Sequence, residues 1–418
     1  MRKKGTNKYK LINTLLLAVS FIVRLVYILI TSVGERQHDL GYATSLHDDI
    51  INPGHLGYVE YIAKFHHLPD FDPFSIFSYY HPPLHHIVAS LFLNAADMLG
   101  IKEPGVYEVI QIPTFIYSCI TIYVSYKVLK LICKDDRKIT IGFALIAFHP
   151  GLIYMTGSIN NDMMALMFTV LCVYTTILWF QNEYRLKYLI YMALCMGFGL
   201  IAKPNIVIMV VPMGLVMLMH MYDMYKAGEF GKVFGHYCIF AAISGPIGLS
   251  WTIRNAIRFG TKPGIPSPSP NQCVSGYSLF NRLVLPSSSC ISFPFYSENA
   301  TYNNNMWQIC FKTSLFAEIW PTEISPIGLR LCQLLFISAV ILGIYCAVMS
   351  IVKPIRLIKQ NDKVMGIFLL SGYVSVILMF YFFVLKYPFT CSCNFRYVGI
   401  SLLYSAIALI PYTRLNTD

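Results

Sequence analysis

The sequence predicts an all-α polytopic membrane protein: about ten transmembrane helices and a large first extracytoplasmic loop containing interfacial helices. Three observations predict it. Of the 418 residues, 56% are hydrophobic and only 13% charged, with mean hydropathy +0.56, whereas soluble domains run at roughly 45–50% apolar and about 25% charged. Apolar runs of helical length recur from end to end, and Lys and Arg concentrate in the short loops between them. This composition excludes a soluble globular enzyme and intrinsic disorder alike. No fixed-period repeat is present, which removes a solenoid.

A spanning helix needs ~20 apolar residues. Such segments fall at about 11–33, 107–132, 139–156, 163–181, 187–202, 204–221, 236–253, 329–352, 365–386 and 397–412. The basic start, Met1-Arg2-Lys3-Lys4-Gly5, leads into the first. That run is too long for a signal-peptide core and has no small-residue cleavage site, so it reads as a retained span. One more segment, about 84–100, is short and carries His85, His86, Asn94 and Asp97. If it lies in the interface as an amphipathic helix, the basic clusters at Lys127–Lys138, Arg185–Lys187, Lys226–Lys232 and Lys353–Lys363 share the cytoplasmic side with the N-terminus. If it crosses, they flip against the N-terminus. The first arrangement is expected, with both ends cytoplasmic. The chain then divides into a transmembrane module at 1–253 with its first outer loop at 34–106, an extracytoplasmic loop at 254–328, and C-terminal transmembrane helices at 329–418.

The net charge of +11 fits membrane topology and lipid-phosphate contact rather than nucleic acid, because the cations sit between apolar runs. Most of the 12 cysteines lie in spans as small apolar residues. Cys273, Cys290, Cys310, Cys391 and Cys393 lie outside, where disulfides form, and a Cys273–Cys290 bridge is one pairing the spacing allows.

The polar residues that could carry chemistry gather on the outer side. Gln37-His38-Asp39 follows the first span, placing a carboxylate at the membrane–water boundary, where it can accept a proton or hold a metal. Asp48 and Asp49 are rival carboxylates. Gly54-His55 opens a segment with Leu56, Val59, Ile62 and Ala63 on one helical face, leaving His55 and Glu60 available elsewhere on it. In Tyr79-Tyr80-His81-Pro82-Pro83-Leu84-His85-His86, the two prolines fix an extended lead into the next helix and can present Tyr80 and His81 to a sugar or phosphate. Eight of the 11 histidines lie between His38 and His86, yet their spacing fits no standard zinc set. Asn160-Asn161-Asp162 reads either as a helix cap or as a second carboxylate near Asp39. Lys203, between two apolar spans, needs a partner or an anion. Arg254 and Arg396 stand at outer boundaries, where a guanidinium can fork onto a phosphate or snorkel. Arg24 lies well inside the first span.

Taken in order, Gln37-His38-Asp39, Gly54-His55 with Tyr58 to Tyr61, Tyr80-His81-Pro82-Pro83-Leu84, Asn161-Asp162, Lys203-Pro204, Arg254-Asn255, Lys312-Thr313-Ser314-Leu315-Phe316 and Arg396-Tyr397 resemble the GT-C membrane glycosyltransferases that use lipid-phosphate-linked sugars. The nearest branch is that of protein O-mannosyltransferases, aminoarabinose transferases and bacterial relatives. The resemblance implies that Asp39 is the catalytic carboxylate, with Asp49 the alternative, and that Asp162 is a second acid of the site. Lys203, Arg254 and Arg396 would hold the donor phosphate, with His55, His81 and Tyr80 beside it. Protein mannosyltransferases carry an adjacent Asp-Glu pair in the first loop. His38-Asp39 stands here instead, which argues against protein O-mannosylation.

The reaction so implied moves a sugar from a polyprenyl- or dolichyl-phosphate carrier to a glycan, lipid or protein acceptor on the extracytoplasmic side, with inversion. Cations stabilise the departing phosphate, and Asp39 takes the acceptor's proton. No cofactor is required, although a divalent cation is admitted if Asp39 and Asp162 meet. The other partner is membrane lipid, with no nucleic acid, and a bacterial plasma membrane is preferred to an endoplasmic reticulum. The alternatives are a transporter or flippase of lipid-linked sugars and a non-catalytic scaffold subunit. A transporter leaves the gathering of polar residues on one face unexplained and tends to show broken-helix repeats.

Overall fold

The computed structural model describes residues 2–41, 51–261, 273–286, 289–360 and 362–412. Its main helices are α1 (Arg2–Ile30), α2 (His55–Phe65), α3 (Leu84–Met98), α4 (Gln111–Ile132), α5 (Asp136–Ala147), α6 (Asp162–Gln181), α7 (Leu186–Ala202), α8 (Val210–Lys226), α9 (Phe230–Phe259), α10 (Met306–Phe316), α11 (Pro326–Lys359), α12 (Lys363–Lys386) and α13 (Ser401–Leu409). Among the described residues, seven stretches are long and apolar enough to cross a membrane, and an eighth arises if α5 and the bent helix after it form one span. The chain is a multi-pass integral membrane protein.

This count sits below the ten expected. Helix α7 is apolar but 17 residues long. The last segment breaks into a 3-10 turn at Phe395–Tyr397 and the nine-residue α13. The segment 139–156 bends by 55° where Pro150 starts a new helix, since the ring cannot continue the old one's hydrogen bonds. The ambiguous segment forms α3. Its 15 residues extend ~22 Å at 1.5 Å each, short of the ~30 Å hydrocarbon core. One face of α3 buries His85, His86, Ala89, Leu93 and Ala96, while Leu91, Met98 and Leu99 are exposed.

The chain forms two compact units that interleave along the sequence. One comprises Leu17–Leu131 and Ile153–Pro266; the other comprises Met1–Leu16, Ile132–Leu152 and Ser267–Asp418. In the first, α7 packs between α6 and α9. The approach is close because glycines face bulky partners: a Cβ on Gly197 would lie 3.0 Å from Ile247, and one on Gly248 2.6 Å from Leu200. Small residues at such crossings are how membrane helices gain van der Waals contact where lipid supplies no hydrophobic drive. Helix α2 lies on α3, joining Leu56, Val59, Ala89, Leu93 and Ala96 with Val106, Ile110 and Ile159 in one core.

In the second unit α11 packs on α12 and α13, and α13 on α5. Asn305 caps α10 by accepting from the Trp307 and Gln308 amides. The buried Lys312 donates to Asn303 (3.0 Å), and burial lowers its amine to about 8. All 12 cysteines are free thiols, so the Cys273–Cys290 bridge is not formed. Instead Cys273 pairs in an antiparallel bridge with Phe389.

Candidate functional site

The site of the first unit is assembled from the end of α1, the lead-in to α3, and the junctions before α6 and after α7. The exit of α1 is tied down first. Glu108 accepts from the Ser32 hydroxyl (3.1 Å) and the Val33 amide (2.8 Å), and Gln111 donates to Thr31 O and to Glu108. A 3-10 turn, Arg36–His38, then buries His38 completely. Its backbone carbonyl accepts from Ile159 N (2.8 Å), and its Nε2 lies 2.9 Å from Tyr27 Oη. Burial pushes the His38 ring down to about 4, so it is neutral and structural. The room it occupies exists because residue 157 is glycine: a Cβ there would lie 2.4 Å from His38 Nε2.

Asp39 caps this turn with φ +58, a left-handed conformation that Asp and Asn tolerate better than most residues. Its side chain is 32% exposed. Oδ2 accepts from Asn160 Nδ2 at 3.0 Å and lies 3.9 Å from His55 Nε2. Asn160 also accepts from the Asp162 amide through Oδ1 (2.9 Å), so one amide side chain spans from Asp39 to the first residue of α6. Asp162 in turn pairs with Lys203 at 2.6 Å, both nearly buried. The neighbouring Asn161 donates to Ala202 O (2.7 Å), fixing the start of α6 to the end of α7. Asp39, Asn160, Asp162 and Lys203 thus form one continuous polar chain at one end of the helices.

Above it stands a column of rings. His81, His55, His86, Tyr58 and Tyr79 stack in that order, with successive centroids 5.0, 5.3, 4.3 and 4.6 Å apart. His55 starts α2 because Gly54 before it, at φ +106, turns the chain where Gly41 approaches so closely that a Cβ on Gly41 would lie 2.4 Å from Gly54 Cα. Burial holds His86 well below 6.5 and His85 near 4, so both rings are neutral. Tyr80 packs at a tilt against His81 (4.5 Å between centroids, planes 42° apart), and its carbonyl accepts from Trp251 Nε1 (3.3 Å). Glu60 is buried on α2, accepts from Asn52 (3.3 Å), and is pushed up to about 7 by burial.

Of the residues singled out in the sequence, Asp39, His55, Asp162, Lys203, His81 and Tyr80 come together here. Arg254 does not reach the carboxylate in this arrangement. It donates to Pro69 O and Asn255 Oδ1 and lies over Trp251, one layer behind Tyr80. Arg396 belongs to the other unit, beside Tyr397, and Asp49 lies outside the described residues. Sequence reasoning missed the bridging role of Asn160 and the part of His86. The run Asn160-Asn161-Asp162 between apolar segments was the available signal for the first. Among the described residues, no three His, Cys, Asp or Glu side chains are arranged to hold a metal ion.

Residues 81–247, about two fifths of the chain, match the family described as dolichyl-phosphate-mannose-protein mannosyltransferase. No curated protein matches by sequence. Among solved structures, the Archaeoglobus fulgidus oligosaccharyltransferase tethered to an acceptor peptide with the NVT sequon is similar over 95% of this chain, at 14% identity and TM-score 0.50; the chain covers 49% of it, about half its length. ArnT from Cupriavidus metallidurans, in the apo state, aligns over 95% of this chain and 76% of its own, at 12% identity and TM-score 0.42; the shared fold rests on the first. The family match takes in His81, His86, Asn160, Asp162 and Lys203 but not Asp39, His55 or Tyr58, and the fold is similar to that of the oligosaccharyltransferase.

Proposed function

We propose that this protein transfers a sugar from a polyprenyl- or dolichyl-phosphate carrier to an acceptor hydroxyl at the extracytoplasmic face of its membrane, inverting the anomeric carbon. The observation that carries this reading is the state of Asp39. It is a partly exposed carboxylate at the exit of a spanning helix, oriented by Asn160 and tied through it to a buried ion pair. A base that must meet an acceptor from water and a donor from lipid belongs at that boundary. Asp39 accepts the acceptor's proton as the new C1–O bond forms and the C1–O bond to the carrier phosphate breaks, an assistance of roughly 10²–10⁴-fold. Asp162 and Lys203 act behind it: each neutralises the other, and the Asp162 backbone amide holds Asn160 in register. His81 stacks on His55 with Tyr80 against it, and Arg254 is assigned to the carrier phosphate, whose charge grows in the transition state.

The test is incubation of purified, reconstituted protein with a panel of polyprenyl- and dolichyl-phosphate sugars, with release of the lipid phosphate followed by mass spectrometry. Release with at least one donor, with inverted product, supports the reading. Transport of the intact lipid-linked sugar across the bilayer without cleavage contradicts it.

A further inference from the structure

The column of histidines beside Asp39 is too ordered to be packing alone. His55 Nδ1 and His86 Nε2 are 3.0 Å apart with their rings only 5° from parallel, so one proton is shared between them. His86 is fully buried, with His55 at its Nε2 edge and Tyr58 stacked on its face, and such a site does not admit a charge. A neutral His86 that donates from Nε2 leaves His55 with its own proton on Nε2, the nitrogen facing Asp39 Oδ2 at 3.9 Å. The opposite sharing would turn a bare Nε2 lone pair toward a carboxylate, which is repulsive.

We infer that His86 and His55 form a positioning arm that presents an Nε2–H to Asp39, holding its carboxylate ionised and in place for the acceptor's proton. This rests on the reading of Asp39 as the base. The 3.9 Å separation closes by about 1 Å to reach hydrogen-bond length, as contacts of unliganded sites do when substrate arrives. The arm works as the orienting partner of a catalytic group does: it selects a tautomer and a direction, and the proton that Asp39 accepts stays on Asp39 until water removes it. Among the described residues, the titratable groups about the His55 ring are Asp39, His81 stacked on the ring, His86 at its Nδ1 edge with His85 beside it, and Glu60 further along α2. His81 stacks and is half-buried, so its part is to cover the His55 ring.

The test uses His55→Phe, which keeps a ring in the stack but has no N–H, and His55→Gln, which keeps a donor. With a donor found active for the wild type, His55→Phe lowers kcat on the order of 10–100-fold, the scale seen for residues that orient a ligating side chain, with donor KM unchanged. It also moves the acid limb of the pH–kcat profile upward, because a carboxylate that loses a donor is protonated at higher pH. His55→Gln restores most of both. An unchanged acid limb and kcat in His55→Phe overturn the arm. A readout independent of activity is the nitrogen-15 spectrum of histidine-labelled wild type. The Nε2–H tautomer at His55 supports the arm and the Nδ1–H tautomer overturns it. Failure of every donor, with the Nε2–H tautomer present, removes the sugar-transfer reading and leaves the arm standing.

Discussion

Single residues decide what this site can do. Lys203 and Asp162 are 2.6 Å apart and nearly buried, and breaking such a pair from one side leaves an uncompensated charge. Lys203→Met is expected to lower unfolding free energy by about 3–5 kcal/mol, read as a fall in thermal midpoint in detergent. Lys203→Met with Asp162→Leu recovers most of the loss, because no charge is then stranded. Glu60 works in the opposite direction from a surface acid. Burial raises it to about 7 from the 4.5 of the exposed group, so the folded state binds more protons than the unfolded state in that window. Stability contributed by the neutral carboxyl is therefore full below about 4.5 and falls as pH rises towards 7. Glu60→Gln flattens that decline, and its thermal midpoint exceeds the wild type's at pH 8. A parallel decline in both proteins would remove Glu60 from the account.

At the level of elements, helices deliver these residues, and their apolar runs were legible in the sequence because lipid demands them. The breaks were less legible. Composition continues smoothly through 139–156, but Pro150 divides it, and 397–412 keeps only nine residues of helix. Asp39, Asp162 and Lys203 were visible as polar residues interrupting apolar stretches. Asn160 as their bridge was not, because its two contacts depend on bringing Asp39 next to a residue 121 positions away. Arg254 was placed at the correct helix end, yet its partner is the backbone carbonyl of Pro69, which no side-chain pattern announces. The α7–α9 crossing is a further device hidden in plain glycines. Gly248→Leu forces Leu200 to move and is expected to cost about 1–3 kcal/mol by overpacking. Because Lys203 directly follows α7, activity should fall more than stability alone explains, checked by comparing specific activity with the folded fraction.

At the level of the molecule, the alternation of helices brings the exit of α1, the starts of α4 and α6, and the ends of α7 and α9 to one end of the first unit. The short turns at its other end carry Arg185, Lys187, Lys226 and Lys232. In the proposed reading the site faces outward, since the positive-inside rule puts basic turns on the cytoplasmic side. It also suits a donor with a lipid tail, which reaches such a centre without leaving the bilayer.

The most direct measurement compares lipid-phosphate release by the wild type and by Asp39→Asn, at saturating donor and with donor binding measured separately. Asparagine keeps the left-handed φ and much of the shape while removing the base. The account predicts equal donor binding and a loss of turnover of about 10²-fold or more. Equal turnover in the two proteins would contradict it.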